Sequence, residues 1–67
     1  MMELTVNGKK ERFDGVGTAA ELVGALGIRR ERVAVMVNGD VVRRADLDST
    51  PVKDGDTVEI ITMVGGG

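Results

Sequence analysis

The sequence predicts a two-layer α+β domain in which one helix packs against a mixed β-sheet. Three observations predict this class. Apolar and polar residues alternate in several short stretches, two Asn-Gly pairs separate neighbouring stretches, and a single segment has helical spacing. The chain has 67 residues, which is enough for one small domain.

The first segment predicts a β-hairpin. Residues 2–6 alternate between apolar and polar, as in a strand with one buried face. Asn7 and Gly8 supply the two positive-φ residues that a type I′ turn requires. The returning strand at residues 9–13 is rich in charge, which is typical of an edge strand protected against unwanted pairing.

The middle segment predicts the helix. Thr18 and Glu21 fit a capping box, and Gly27 lies where helices commonly end in the left-handed conformation. Gly24 inside the helix costs about 1 kcal/mol relative to alanine, which a close packing contact would explain. The apolar stripe expected to face the sheet comprises Leu22, Val23 and Leu26.

The second half of the chain predicts another hairpin. Residues 33–37 alternate in the manner of a strand, and Asn38-Gly39 repeats the turn signal before a short return strand at residues 41–42. The polar connection that follows, residues 43–52, is expected to form a loop with one helical turn. Leu47 is its expected anchor in the core.

The last segment predicts a strand at residues 57–64, after the tight turn of residues 54–56. The predicted order is therefore β-β-α-β-β-β. The right-handed crossover rule places the first and last strands side by side and parallel at the sheet centre. This architecture is the β-grasp, with four to five strands packed on one helix. We expect residues 1–64 to form the domain and residues 65–67 a flexible glycine tail.

The residue inventory argues against catalysis by the chain itself. It contains no His, Cys, Trp or Tyr, so neither a Ser–His nor a Cys–His nucleophile can be assembled. Imidazole and thiolate metal ligands are missing for the same reason. Two carboxylate pairs, Asp46/Asp48 and Asp54/Asp56, lie in predicted turns and are interpreted as structural. We predict that the protein is not an enzyme and binds no cofactor or metal.

Charge and hydropathy also limit the partners. The net charge is −2 and the only aromatic residue is Phe13, which argues against nucleic-acid binding. No apolar run approaches the ~18 residues of a membrane span, and the first residues lack the apolar part of a secretory signal. We expect no nucleic-acid or membrane partner and a cytoplasmic location.

Arginines flank the second predicted hairpin. With Glu31, Asp40 and Asp46 close by in sequence, they are interpreted as a solvated, locally neutralised surface. An ionic clamp on an acidic partner is the alternative. The residues are Arg29, Arg30, Arg32, Arg43 and Arg44.

The sequence ends with an apolar strand followed directly by Gly65, Gly66 and Gly67. A frayed end and a functional tail are both compatible with these residues. Glycine has the smallest cross-section and the widest φ/ψ freedom, which suits a backbone that threads into a narrow site. A terminal carboxylate is ionised at neutral pH, so it becomes an acyl donor only after activation, most simply as an acyl-adenylate.

The last strand also predicts a docking surface beside the tail. If Val58 and Ile60 face the helix, the alternate side chains point to the opposite face of the sheet. Thioether and aliphatic side chains suit an adaptable apolar interface, whereas scattered surface hydrophobes are the alternative. The candidate docking residues are Met36, Ile61, Met63 and Val64.

Three stretches together resemble the ubiquitin-like sulfur carriers, and in particular those of thiamine biosynthesis: GTAAELVGALG, VAVMVNGDVVRR and DGDTVEIITMVGGG. The resemblance implies that a ubiquitin-activating-like adenylyltransferase uses ATP to adenylate Gly67, which is then converted to a thiocarboxylate. It further implies a sulfur donor such as a cysteine desulfurase, and thiazole synthase as the acceptor. The alternatives are a carrier for molybdopterin or another sulfur pathway and a non-covalent β-grasp interaction module.

Overall fold

Five strands in one mixed sheet and a single α-helix make up the fold in a computed structural model, which describes residues 2–62. The strand order is β2-β1-β5-β3-β4, with β1 parallel to β5 and β5 antiparallel to β3. The predicted parallel pair at the sheet centre is confirmed. The elements are β1 (Met2–Val6), β2 (Lys9–Phe13), α1 (Ala19–Ala25), β3 (Val33–Val37), β4 (Asp40–Val42) and β5 (Thr57–Thr62), with 3₁₀ helices at Arg30–Arg32 and Arg44–Ser49.

Both Asn-Gly pairs form the predicted hairpin turns. The φ angles are 51° at Asn7 and 81° at Gly8, and 51° at Asn38 and 86° at Gly39. Two consecutive positive φ values define the type I′ geometry, whose twist matches that of the flanking strands. The first turn joins β1 to β2, and the second joins β3 to β4.

The helix begins with the predicted capping box. Thr18 Oγ1 accepts a hydrogen bond from the Glu21 backbone N–H at 3.1 Å, and Glu21 Oε1 accepts one from the Thr18 N–H at 3.1 Å. These bonds satisfy backbone donors that the first helical turn leaves without partners. The N-terminal boundary predicted from the sequence is confirmed.

The helix ends at a Schellman motif, as the glycine predicted. Gly27 has a φ of 71°, and its N–H donates to the Gly24 carbonyl at 3.0 Å. The Ile28 N–H donates to the Val23 carbonyl at 3.2 Å, and Ile28 packs against the edge of the core. The packing explanation for Gly24 is wrong, because a Cβ at this position would meet no described atom within 4 Å apart from its chain neighbours and the backbone of its own helix.

The core lies between α1 and the inner face of the sheet, with side chains from every strand except β2 and β4 fully buried there. Leu47 is 1% exposed and anchors the second 3₁₀ helix, as predicted. Val52 is also buried, and its N–H donates to the Gly17 carbonyl at 3.1 Å. The buried set is Leu4, Val6, Ala19, Leu22, Val23, Val33, Val35, Val37, Leu47, Val52, Val58 and Ile60.

The predicted last strand is observed as far as Thr62, and residues 63–67 lie outside the part of the chain that the structure describes. Within residues 2–62, no helix combines the length and the apolar character needed to cross a membrane.

Candidate functional site

Strand β5 occupies the centre of the sheet and leads towards the glycine tail. Its side chains alternate, with Val58 and Ile60 buried on the inner face beside α1. Glu59 and Ile61 lie on the opposite, outer face, where Ile61 is 52% exposed. The predicted orientation is confirmed for Val58, Ile60 and Ile61.

The strand register shows which side chains are neighbours on the outer face. Ala34 lies opposite Ile61, and Met36 lies between Glu59 on β5 and Val41 on β4. Directly opposed residues have Cβ atoms about 4.5–5.5 Å apart, so these side chains form one continuous surface. We call Ala34, Met36, Val41 and Ile61 the outer-face patch.

Val41 belongs to this patch, although the sequence pattern predicted only that it lies on a return strand. It is 70% exposed, more than Ile61. The sequence contained part of the signal, because Val41 and Val42 must point to opposite faces of a strand, but it did not show which of the two faces outward. Val42 pairs with the buried Val35, which leaves Val41 on the outside beside Met36.

The other half of the outer face is polar. On β1 and β2, Glu3 lies opposite Arg12 and Thr5 lies opposite Lys10. The outer face is therefore divided into a charged half on β1 and β2 and an apolar half on β3 and β4. Glu59 lies between the two halves on the central strand.

The remaining predicted site residues lie outside the described part of the chain. Met63 and Val64 were predicted to extend the docking surface, and Gly65, Gly66 and Gly67 to form the reactive tail. For these five positions, the roles stay predictions from the sequence.

A second feature of β5 is the set of hydrogen bonds that holds its backbone near Ile60. The Ile60 N–H donates to Asn7 Oδ1 at 2.8 Å, and Asn7 Nδ2 donates to the Ile60 carbonyl at 3.2 Å. The Asn7 backbone N–H also donates to the Val58 carbonyl at 2.9 Å. Since β1 ends at Val6, the Asn7 side chain continues the hydrogen bonding of β5 beyond the end of that strand.

Asn38 holds the opposite end of β5 in a similar manner. Its Oδ1 accepts from the Thr57 N–H at 2.9 Å, and its Nδ2 donates to Asp56 Oδ1 at 3.0 Å. The Asn-Gly pattern predicted only a turn position for each of these two asparagines. Glycine or aspartate would also fit this turn position. The local pattern therefore contained no signal that the asparagine side chains bind the backbone of β5.

Two arginines bind specific groups. Arg30 donates to both carboxylate oxygens of Asp48, at 3.1 and 2.9 Å, and to the Arg44 carbonyl at 3.2 Å. Arg44 in turn donates to the Glu31 carbonyl at 2.9 Å. These bonds tie the two 3₁₀ helices together. The hydrogen bond from Arg30 lowers the pKa of the Asp48 carboxyl below its usual value.

From the sequence, Glu31, Asp40 and Asp46 were expected to neutralise the arginines. The structure shows a further acidic partner on this surface. The partner of Arg30 is Asp48, which had been assigned to turn structure. Arg43 lies 3.8 Å from Asp46 in an exposed pair, which contributes little to stability.

In the second carboxylate pair, Asp56 supports its turn as predicted, whereas Asp54 binds the beginning of β1, 51 residues away. Asp54 Oδ1 accepts from the Glu3 N–H at 2.7 Å, and Asp56 Oδ2 accepts from the Lys53 N–H at 2.8 Å. Across residues 2–62, no three His, Cys, Asp or Glu side chains form a group that could hold a metal ion.

A single helix crossing between two hairpins, with parallel first and last strands at the sheet centre, defines a ubiquitin-like β-grasp domain. The model of the ThiS family matches residues 1–67, and the chain therefore belongs to the ThiS family. The family, the β-grasp fold and the prediction of a small sulfur carrier rather than an enzyme are confirmed.

Known proteins of similar sequence and structure agree with this assignment. The crystal structure of the thiamine biosynthesis protein ThiS from Geobacter metallireducens superposes with a TM-score of 0.83 at 46% identity, over 98% of this chain and 100% of that one. The sulfur carrier protein ThiS of Thermus thermophilus is 29% identical over 62 residues, which cover 92% of this chain and 95% of that protein.

A thiazole synthase of Paramagnetospirillum magneticum is 36% identical over 66 residues. The match covers 98% of this chain but 20% of that protein, so the chain spans about a fifth of this relative's length.

Proposed function

We propose that this carrier of thiamine biosynthesis holds sulfur as a thiocarboxylate on Gly67. The observation that supports the proposal is a central strand, described as far as Thr62, that is followed in the sequence after two more residues by three glycines, in a chain that contains no cysteine. Without a thiol, sulfur could be carried covalently as an acyl derivative of a carboxylate, and the carboxylate of Gly67 is the one proposed here. The unbranched Gly67 would leave its carbonyl carbon open to attack.

The chemistry requires activation by a partner. A carboxylate oxygen of Gly67 attacks the α-phosphorus of ATP, pyrophosphate leaves, and an acyl-adenylate forms. A sulfide nucleophile then attacks the carbonyl carbon and AMP leaves, so that one oxygen of the carboxylate is replaced by sulfur. ATP is the substrate of the partner adenylyltransferase, and the carrier itself is proposed to bind no cofactor.

The proposal requires the tail to reach the active site of that partner. The five residues after Thr62 can extend at most about 18 Å, at up to roughly 3.6 Å per residue. The domain must therefore dock close to the mouth of the site. Glycines at positions 65 and 66 would let the last part of the tail pass a narrow entrance.

The outer-face patch is the proposed docking surface. Val41 and Ile61 are the large hydrophobic residues that are exposed within the described residues, and Met36 lies between their strands. Desolvation of apolar side chains at a patch centre drives association, whereas the charged half of the face sets orientation. Met63 and Val64 would extend the patch towards the tail.

The proposed sequence of partners is an adenylyltransferase, a sulfur donor such as a cysteine desulfurase, and thiazole synthase as the acceptor. The sequence similarity to a thiazole synthase supports the proposal that such an enzyme accepts the sulfur. The cytoplasmic location also stays a prediction, which cell fractionation would test.

Intact-mass measurement tests the central step. The full chain is incubated with ATP, sodium sulfide and the cognate adenylyltransferase, and Gly67 should gain the mass difference between sulfur and oxygen. Addition of one tryptophan after Gly67 should abolish this gain, whereas the same residue added before Met1 should not. An unchanged mass under conditions that charge a known carrier would refute the proposal.

Transfer to the acceptor is measured in a second step. Thiazole synthase and its other substrates are added to the purified thiocarboxylate form, and the carrier should return to its original mass. If the mass returns only with a different sulfur-accepting enzyme, the thiamine role is wrong while the carrier chemistry stands.

A further inference from the structure

The pairing of strand β5 with β1 ends earlier along the chain than its pairing with β3. On one side, β3 pairs with it as far as Thr62. On the other side, β1 pairs with Thr57 and Val58 and then ends at Val6. The backbone groups of Ile60 point towards this second side, where a strand no longer runs.

The Asn7 carboxamide takes the place of the missing strand. It accepts the Ile60 N–H at 2.8 Å and donates to the Ile60 carbonyl at 3.2 Å, in a partly buried position. Both backbone groups of one residue are therefore bound by one side chain 53 residues away. Asn7 itself is fixed by its place in the type I′ turn, so the carboxamide is presented from a rigid position.

We propose that Asn7 is a positioning residue for the activation of Gly67, because it sets the last point at which β5 is held from both sides. The inference rests on the proposed function of the tail. Without the carboxamide, two-sided support would end at Val58, where the Asn7 backbone N–H binds the carbonyl.

Loss of the carboxamide would have two effects on the Gly67 carboxylate: a longer free chain and a less fixed chain direction. The chain between the last two-sided position and Gly67 would lengthen from seven residues to nine, which lowers the effective concentration of the carboxylate only about 1.5-fold. The direction in which the chain leaves β5 matters more than its length. A strand that is hydrogen-bonded along only one edge can rotate about its remaining hydrogen bonds, which here are those with β3. A displacement of about 1 Å at a reacting group can cost about 100-fold in rate. We expect a loss between these limits, about tenfold.

Asn38 provides a matched control within the same chain. It occupies the same turn position as Asn7, with the same φ of 51°. Its Oδ1 also accepts a backbone N–H of β5, at 2.9 Å, but the residue held is Thr57 at the beginning of the strand. Asn7→Gly and Asn38→Gly therefore remove comparable bonds and introduce the same backbone freedom, at opposite ends of β5.

The experiment compares both variants with the full-length chain in pyrophosphate exchange catalysed by the cognate adenylyltransferase. Asn7→Gly should lower kcat about tenfold and change KM less, because three of the four residues of the outer-face patch lie on β3 and β4, away from the released edge of β5. Asn38→Gly should leave both parameters within about twofold. Thermal unfolding establishes that each variant is folded at the assay temperature.

Amide hydrogen exchange gives an independent readout that does not involve the partner. Exchange at Ile60 should accelerate in Asn7→Gly and stay unchanged in Asn38→Gly. Asn7→Asp keeps the acceptor for the Ile60 N–H and loses the donor to the carbonyl, so its kcat should be intermediate. It also serves as the test variant if Asn7→Gly fails to fold.

Two outcomes would overturn the inference: a wild-type kcat in the folded Asn7 variants, or an equal loss of kcat in Asn38→Gly. Failure of the proposed function is distinguishable, because the wild-type chain would then show no pyrophosphate exchange at all.

Discussion

Arg30 and Asp48 form a two-pronged pair, in which the guanidinium donates to both carboxylate oxygens at 3.1 and 2.9 Å. The two residues lie on different 3₁₀ helices, and the Arg30 side chain is 34% exposed. Paired planar groups of this kind are more specific than a single ionic contact. The pair joins the segment before β3 to the segment after β4.

This pair predicts a pH-dependent contribution to stability. The pKa of Asp48 is lower in the folded protein, so its contribution is present above the ordinary carboxyl pKa and is lost as pH falls through the folded value. The raised pKa of Arg30 has no effect in this range, because arginine stays protonated. Asp48→Asn should lower the Tm at pH 7, and its difference from wild type should shrink below about pH 4.

Asp46→Asn is the matched control, since Asp46 lies on the same 3₁₀ helix and its contact with Arg43 is a long, exposed one of 3.8 Å. It should leave the Tm nearly unchanged at pH 7. A Tm difference for Asp48→Asn that stays constant from pH 7 to pH 3 would contradict the proposed role of the carboxylate.

Gly24→Ala should stabilise the protein by about 0.5–1 kcal/mol. The added Cβ meets no described atom within 4 Å, and alanine has the higher helix propensity. Gly27→Ala should instead destabilise it by about 1 kcal/mol, since Gly27 has a φ of 71°. Urea unfolding of both variants provides the measurement, and a loss of stability in Gly24→Ala would show that α1 does not tolerate a side chain there.

Leu47→Ala should reduce the free energy of unfolding by about 2–5 kcal/mol. The side chain is 1% exposed and anchors the connection between β4 and β5, so its removal leaves a cavity. In a domain of this size, such a loss is a large part of the total stability. Val41→Ala is the surface control, expected within about 0.5 kcal/mol of wild type because Val41 is 70% exposed. Equal effects of the two substitutions in chemical denaturation would contradict this assignment of core and surface.

Ile61→Asp should weaken binding to the adenylyltransferase at least about tenfold, because a charge would be desolvated at the centre of the proposed interface. The cost to folding should be about 1 kcal/mol or less, since the side chain is half exposed on the outer face. Thr57→Asp introduces the same charge on the same strand and face, away from the patch, and should bind within about threefold of wild type. Isothermal titration calorimetry measures the affinity of both variants for the adenylyltransferase. Wild-type affinity in Ile61→Asp would show that the outer-face patch is not the docking surface.

Much of the fold follows from short segments of the sequence read one at a time. Asn7-Gly8 and Asn38-Gly39 predicted both hairpins, and Thr18 with Glu21 predicted the helix start. These signals are strong because the interacting groups lie within a few residues of each other, where the local backbone geometry is the main variable. Alternation on β5 then predicted the outward orientation of Ile61, since a strand has a fixed period of two.

The tertiary structure decided which distant groups meet. Asn7 binds Ile60 across 53 residues, and Arg30 binds Asp48 across 18. Val41 joined the patch only through the pairing of β4 with β3. Such partners depend on strand register and on the placement of connections, and many polar residues could satisfy the same local pattern. Local geometry therefore determined the β-grasp from the sequence, whereas packing between distant segments determined what holds β5 and which side chains surround it.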